Sequence, residues 1–456
     1  MTELFGTNGV RGVVNEDMDS KLALDLAKAM GTWIGAEGAV AVGTDTRISN
    51  EMLKEAVSSG LMAVGCDVVD LGEVPTPAIQ YYVKKKEYVR LGVAITASHN
   101  PPEFNGIKCI GEDGTELTEE MEEEIEDIYF KESFKMVDWS DVGKKRSDDP
   151  LDIYKEAIKD KVDIDTIKEA ELKVILDCAN GAGCYLSPYL LEELGCEVVT
   201  LNAQPDGTFP GHNSEPTKEN LKDLIELTKK TDADIGIAHD GDADRTIFID
   251  EKGGYIHGDR TLTLVAKKLV EENEGGIVVT PVSSSSSVKD VVEAAGGELI
   301  YTAVGSPIVA RRMMEEGAIF GGEENGGLIF ADHQFCRDAA MTAAQIVEMV
   351  AKKGRLSDLM AGLPTYVLEK IGVPCPDELK EELLKELKKE YKDEDHDDAD
   401  GLKLYYKEGW VLMRPSGTEP KYRLYCEAVD EKVAQRMVAE HQKKLRELID
   451  KADKPS

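Results

Sequence analysis

The residues best suited to chemistry in this 456-residue chain are one serine and three aspartates. Thr96-Ala97-Ser98-His99-Asn100-Pro101-Pro102 puts a hydroxyl just after the apolar run Leu91-Gly92-Val93-Ala94-Ile95. Ser98 is therefore expected on the surface of a loop at the carboxyl end of a buried strand, where open α/β sheets present ligands. A serine hydroxyl is a weak nucleophile until a base, a metal or prior activation assists it. Asp240-Gly241-Asp242-Ala243-Asp244-Arg245 supplies a partner, with carboxylates at i, i+2 and i+4 between the apolar runs Ile235-Gly236-Ile237-Ala238 and Thr246-Ile247-Phe248-Ile249. A turn can converge them on one cation. Mg²⁺ takes a few carboxylate oxygens together with phosphate oxygens and water, so Ser98, Asp240, Asp242 and Asp244 are expected to share the metal while Ser98 carries a phosphoryl group. An EF-hand loop would also take these aspartates, with Glu251 at its twelfth position. Its sixth position must be glycine and here is Arg245, and the flanks read as strands.

Three further motifs add groups for a phosphorylated ligand. Phe5-Gly6-Thr7-Asn8-Gly9-Val10-Arg11-Gly12 opens the chain and Gly322-Glu323-Glu324-Asn325-Gly326-Gly327 lies in its third quarter. Near the end, Arg414-Pro415-Ser416-Gly417-Thr418-Glu419-Pro420 combines a guanidinium, two hydroxyls and the N–H groups of a tight turn, a compact anion clamp. Taken alone, it also reads as a surface turn.

Together, in this order and over nearly the whole length, these motifs resemble the α-D-phosphohexomutase family. The pairing of FGTNGVRG with GEENGG is most similar to its archaeal phosphoglucosamine mutase branch. The resemblance implies three tandem α/β domains and a smaller carboxyl-terminal α+β domain around a central cleft. It implies phosphoryl transfer through phospho-Ser98 and a bisphosphorylated sugar, with Mg²⁺ on the aspartates and a sugar 1,6-bisphosphate as activator. Arg11 belongs to the implied substrate loop, and His99 would bond phosphoryl oxygens or orient its loop. Lys108 would assist proton transfer, its pKa lowered by cations packed around it. Glu323 would accept sugar hydroxyls beside Asn325, which stands where many relatives carry Ser; Gly327 stands where glucose and mannose enzymes usually carry His. Glu324 is a second carboxylate for a 2-ammonium group. Arg414, Ser416, Gly417, Thr418 and Arg423 would hold the non-reacting phosphate, and Arg245 would balance charge on the moving one. The implied reaction is glucosamine 6-phosphate to glucosamine 1-phosphate. Mutases of phosphoglucose, phosphomannose and phosphopentose share this chemistry, and a metal-dependent phosphatase would share the serine but not need the clamp.

The elements that must position these groups alternate: a short β-branched run, a polar loop, then an amphipathic stretch, as in Val40 to Asp45, Val174 to Gly181 and Ile277 to Val282. This implies α/β layers with largely parallel pairing and hints at a tandem of similar units. Composition places four domains at 1–149, 150–252, 253–366 and 367–456. Pro281-Val282-Ser283-Ser284-Ser285-Ser286-Ser287 could bind phosphate at a helix start but reads mostly as helix capping, and the acidic run Asp393 to Asp398 reads as a solvated loop. A net charge of −35 argues against nucleic acid or an anionic membrane as partner. The expected partner is a small phosphosugar, and the expected assembly a monomer or homodimer. No apolar stretch approaches a membrane span and the amino terminus lacks a signal-peptide pattern, so a cytoplasmic protein is expected. The eight cysteines lack a C-x-x-C pair and read as small buried apolar residues.

Overall fold

A computed structural model describes residues 4–6, 8–416 and 420–452. The first domain carries β1 (Val10–Val13), β2 (Ala39–Thr44), β3 (Asp67–Glu73), β4 (Val89–Ile95), β5 (Phe104–Gly111) and β6 (Lys145–Ser147), in the order β1-β5-β4-β2-β3-β6. Side chains alternate across a strand, and β2 shows both faces buried. Val40 and Val42 pack with Leu26 and Leu53 of the helices Ser20–Trp33 and Asn50–Ala63, while Ala39 and Ala41 pack with Ile79 and Tyr82 of the helix Thr76–Lys85.

The second sheet holds β7 (Lys173–Asp177), β8 (Glu197–Leu201), β9 (Ile235–His239), β10 (Thr246–Asp250) and β11 (Tyr255–Ile256), ordered β11-β10-β9-β7-β8. The third holds β12 (Ile277–Pro281), β13 (Glu298–Thr302), β14 (Phe320–Gly322), β15 (Leu328–Phe330) and β16 (Gln334–Arg337), ordered β13-β12-β14-β15-β16. One topology therefore recurs in all three sheets. β2, β7 and β12 each lie between two parallel neighbours, one of which (β4, β9 or β14) turns back into an antiparallel strand (β5, β10 or β15) that a further antiparallel strand (β1, β11 or β16) flanks.

One expectation is corrected here. Pairing is mixed rather than largely parallel, because the strands after the Ser98 loop and its counterparts run back antiparallel; Ser98 itself stands at the carboxyl end of β4, on the connection to antiparallel β5. Tyr255–Ile256 pairs with β10, so the second sheet continues past residue 252.

The fourth sheet is antiparallel throughout: β17 (Val367–Pro374), β18 (His396–Asp397), β19 (Leu402–Tyr406), β20 (Gly409–Pro415) and β21 (Lys421–Ala428), ordered β17-β21-β20-β19-β18. Alternation on β20 again divides its load. Val411 and Met413 pack with the helices Lys380–Glu390 and Glu431–Ala452, whereas Trp410 and Leu412 pack against Val282 of the third domain. A single apolar cluster also runs from Tyr154 and Leu176 of the second domain to Phe320 and Ile346 of the third. Ser285 caps the helix Ser286–Ala294 as expected. All eight cysteines are buried thiols, spread over the four domains. Among the described residues no helix is long and apolar enough to cross a membrane.

Candidate active site

The recurring topology explains how distant motifs meet. The serine loop joins β4 to β5, the aspartate loop β9 to β10 and the loop of Glu323 β14 to β15, the same connection in each sheet. One residue type after another has been placed on the same connection of the same unit.

Ser98 adopts φ 53°, a left-handed conformation that a non-glycine residue holds only when its surroundings enforce it. Thr96 Oγ1 accepts its N–H at 2.8 Å. Arg47 does the rest, donating to the carbonyls of Ser98 (3.0 Å), Asn100 (2.6 Å), Pro101 (2.6 Å) and Phe104 (2.8 Å) while paired with Asp45 at 3.1 Å. The hydroxyl is not at the surface as expected: Ser98 is fully buried and donates to Asp240 Oδ2 at 3.0 Å. Gly241 makes this approach possible, since a Cβ there would stand 2.5 Å from the Ser98 carbonyl oxygen.

Asp240, Asp242 and Asp244 are buried with ligand oxygens within 4.8 Å of one another. Burial, then repulsion from Asp244 and Asp242, pushes the Asp240 carboxyl well above the usual range. Burial acts the same way on Asp242, but Lys108 and the Thr76 hydroxyl outweigh it and hold Asp242 low. Asp244 is likewise held low against burial, chiefly by Arg337. The Oδ1 atoms of Asp242 and Asp244 are buried acceptors without a hydrogen bond. Three converging carboxylates with open oxygens beside a hydroxyl form the donor set of a hard divalent cation, and these residues fit Mg²⁺. The acidic run Asp393 to Asp398 forms no such group among the described residues.

Lys108 is almost wholly buried and bonds Asp242 Oδ2 at 2.7 Å and Asp244 Oδ2 at 3.3 Å. Its direct partners are carboxylates, the reverse of the cationic surroundings expected for it. Arg245 lies 3.7 Å from Asp240 and 3.6 Å from Asp244, and donates to His99 Nδ1 at 3.0 Å. Burial, with Arg245 and Arg11 nearby, pushes His99 down to about 3, so the ring is a neutral acceptor at ordinary pH. Arg11 donates to Asn100 Oδ1 at 3.2 Å.

A cavity of ≈ 670 Å³ opens beside these groups, lined among others by Arg11, His99, Arg245, Glu323, Asn325 and Arg337. Glu323 accepts from Arg337 at 3.0 Å and from Asn325 at 3.4 Å. Glu324 does not join it. It lines an adjoining cavity of ≈ 190 Å³ that shares Arg245 and Asn325 with the first, and its carboxylate bonds Ser283 (3.0 Å) and Lys370 of the fourth domain (3.3 Å). Glu324 thus ties the third domain to the fourth.

The clamp stands apart. Arg414 and Arg423 are directly opposed on β20 and β21, so both side chains share a face. Arg414 pairs with Asp400 at 3.2 Å, and Asp400 accepts the Val304 N–H at 3.1 Å on the cavity's rim. Ser416 is buried, its carbonyl accepting from Lys380 at 2.5 Å. None of Arg414, Ser416 and Arg423 lines the cavity itself. Gly417 and Thr418 lie outside the described residues.

Sequence reasoning missed Arg47, Thr76 and Arg337. Thr76 donates to Asp242 Oδ2 at 2.7 Å, and Arg337 pairs with both Asp244 and Glu323. Arg47 had a usable signal, since it follows the strand-to-loop step ending at Asp45. Thr76 and Arg337 belong to no motif.

Comparison with known proteins gives this geometry a family. Phosphoglucomutase/phosphomannomutase alpha/beta/alpha domains I, II and III match residues 2–136, 152–254 and 257–366, and the C-terminal domain matches residues 371–444. A protein of Thermococcus kodakarensis named phosphoglucomutase/phosphomannomutase is 46% identical over 95% of this chain and 96% of its own. A phosphoglucosamine/phosphogalactosamine mutase of Sulfurisphaera tokodaii is 42% identical over 97% of this chain and 99% of its own. The crystal structure of a phosphoglucomutase/phosphomannomutase family protein from Burkholderia thailandensis superposes with a TM-score of 0.89 at 29% identity, covering 98% of both chains.

Proposed function

Because the chain belongs to the phosphoglucomutase/phosphomannomutase family, we propose that it interconverts hexose 6-phosphate and 1-phosphate through phospho-Ser98, with glucosamine phosphate as its substrate. The observation that carries this is the Ser98 hydroxyl 3.0 Å from Asp240, at the meeting of a serine loop and a three-aspartate loop from different domains.

In the first half-reaction the phosphorus of phospho-Ser98 bonds to the free sugar hydroxyl as its bond to Ser98 Oγ breaks. We assign the hydroxyl's proton to the Lys108 amine, which takes it up as an ammonium paired with Asp242 and Asp244. The bisphosphorylated sugar then turns end for end and returns its other phosphoryl group to Ser98. Mg²⁺ held by Asp240, Asp242, Asp244 and Ser98 would neutralise charge on the moving group. Arg245 and Arg11 add fixed positive charge at the cavity wall, and neutral His99 keeps Arg245 aimed. Arg414, Ser416, Gly417, Thr418 and Arg423 take the phosphate that is not reacting, while Glu323 and Asn325 bond sugar hydroxyls. A sugar 1,6-bisphosphate would charge an unphosphorylated serine. We draw the four domains with breaks near residues 149, 256 and 366.

The glucosamine assignment is supported by the amino-sugar name of the S. tokodaii relative; the name of the T. kodakarensis relative keeps glucose and mannose phosphates as the second reading. The test is kcat/KM for glucosamine, glucose, mannose and ribose phosphates with the matching bisphosphate, alongside label transfer from that bisphosphate. Label on Ser98 and a preference for glucosamine are expected. Faster turnover of another sugar overturns the substrate, absence of label on Ser98 overturns the phosphoserine, and release of free phosphate as the main product indicates a phosphatase.

A further inference from the structure

The repeat locates one arginine per loop. Each hairpin is closed by the same backbone bond: Thr96 N–H to Gly106 (3.0 Å), Asp240 N–H to Arg245 (3.3 Å) and Glu323 N–H to Gly327 (2.9 Å). The adjoining pairs are Ile95 with Ile107, His239 with Thr246 and Gly322 with Leu328. Gly106, Arg245 and Gly327 are thus one position in three copies.

In the middle copy that position is itself arginine. In the outer two it is glycine, and an arginine from the flanking strand lies over it. A Cβ on Gly106 would stand 2.8 Å from Arg11 Cγ, and one on Gly327 would stand 2.3 Å from Arg337 Cδ. Arg11 comes from β1 beside β5, and Arg337 from β16 beside β15. All three guanidiniums line the cavity of ≈ 670 Å³. Arg337 is 5% exposed and spans two loops, pairing with Glu323 at 3.0 Å and with Asp244.

We propose that Arg337 is a positioning residue of the reaction, holding the sugar-facing carboxylate and a metal-facing carboxylate at a fixed separation, and that Gly327 serves to leave it room. The inference rests on the mutase reading of the site. Arginine suits the task because its planar fork binds two acceptors at set angles, which a lysine ammonium does not.

The test pairs kinetics with metal binding to the unliganded enzyme. Arg337→Ala should lower kcat/KM about 10²-fold, as loss of one preorganised donor does, with lysine failing to rescue it. Its affinity for Mn²⁺, read by calorimetry without substrate, should rise several-fold, because a cation competing for Asp244 is gone. Gly327→Ala should reproduce the kinetic loss in the wild-type background by displacing Arg337, yet change kcat/KM less than about twofold in Arg337→Ala, where the space is open. Weakened Mn²⁺ binding in Arg337→Ala, or an equal cost of Gly327→Ala in both backgrounds, overturns the proposal. A wild type with no activity on any phosphosugar would instead strike the mutase reading, and the Mn²⁺ affinity would still decide the role of Arg337.

Discussion

The first three domains and the fourth handle charge in different ways. Around Ser98, acid and base compensate each other across domain boundaries: Lys108 of the first domain reaches Asp242 and Asp244 of the second, and Arg337 of the third reaches Asp244. Every one of these groups is buried. On the fourth domain Arg414, opposed to Arg423 across the strand pair, pairs with Asp400 of its own domain, and both partners of that pair are partly exposed. Removing one partner of a buried pair leaves a stranded charge, whereas a pair open to water contributes little. The serine region is therefore locked by its charges, whereas the Arg414 pair is free to yield.

The comparison breaks most decisively at Ser98. Ser98→Ala should reduce turnover by about 10³-fold or more, since the group that carries phosphorus is gone. The buried Asp240 oxygen it leaves unpaired should cost about 1–3 kcal/mol of stability, read as a lower Tm. Turnover like wild type would refute a phosphoserine. Arg414→Ala should cost about 10²-fold in kcat/KM while lowering Tm only slightly, because the partly exposed pair with Asp400 contributes about 0–1 kcal/mol. A large fall in Tm would mean that this pair is as costly to break as the buried pairs around Ser98 and that the contrast is false.

How much of this was legible in sequence follows the same division. The strands of the serine and aspartate loops could be read because each apolar run ends abruptly at a polar turn, so Leu91 to Ile95 and Ile235 to Ala238 fall inside β4 and β9. Direction could not be read. An apolar run looks alike whether its neighbour is parallel or antiparallel; only the aspartate loop, with an apolar run on each side, could be read as a turn between two strands. Thr76 was invisible as a site residue because its value lies in apposition to Asp242, far away in the chain, whereas Arg47 follows a readable strand-to-loop step and only its apposition to Phe104 was hidden. Glu324 shows the converse. Adjacent to Glu323 in sequence, it lines the adjoining cavity and bonds Lys370 of the fourth domain.

That tie supplies a smaller test. Glu324→Gln removes the charge partner of Lys370 and should lower kcat/KM about two- to fivefold, the scale of a partly screened ion pair. The loss should be equal for glucosamine and glucose phosphates. A selective loss for glucosamine would return Glu324 to the sugar. The smallest effect concerns Lys403, whose ammonium donates to the Val282 carbonyl at 2.6 Å under Trp410 (4.1 Å) and Tyr301 (4.7 Å). Burial pushes this lysine down to about 8, with Glu427 opposing. Between pH 8 and its ordinary value of 10.5 the folded state binds fewer protons than the unfolded, so this residue makes stability rise with pH across that window. Relative to Lys403→Met, wild-type Tm should climb by a few degrees over that range. Parallel curves would show that the lysine titrates normally and that the joint with the third domain is wetter than described.

The distribution of thiols offers a clock for the same contrast. Cys66 and Cys109 lie in the first domain, Cys178, Cys184 and Cys196 in the second, Cys336 in the third, and Cys375 and Cys426 in the fourth, all buried. A maleimide can alkylate any of them only when its domain opens. Peptide mapping after timed labelling would therefore give four opening rates from one native molecule. If Arg414 and its neighbours bind phosphate as proposed, inorganic phosphate should slow labelling of Cys375 and Cys426 while leaving Cys66 and Cys178 on their original schedule.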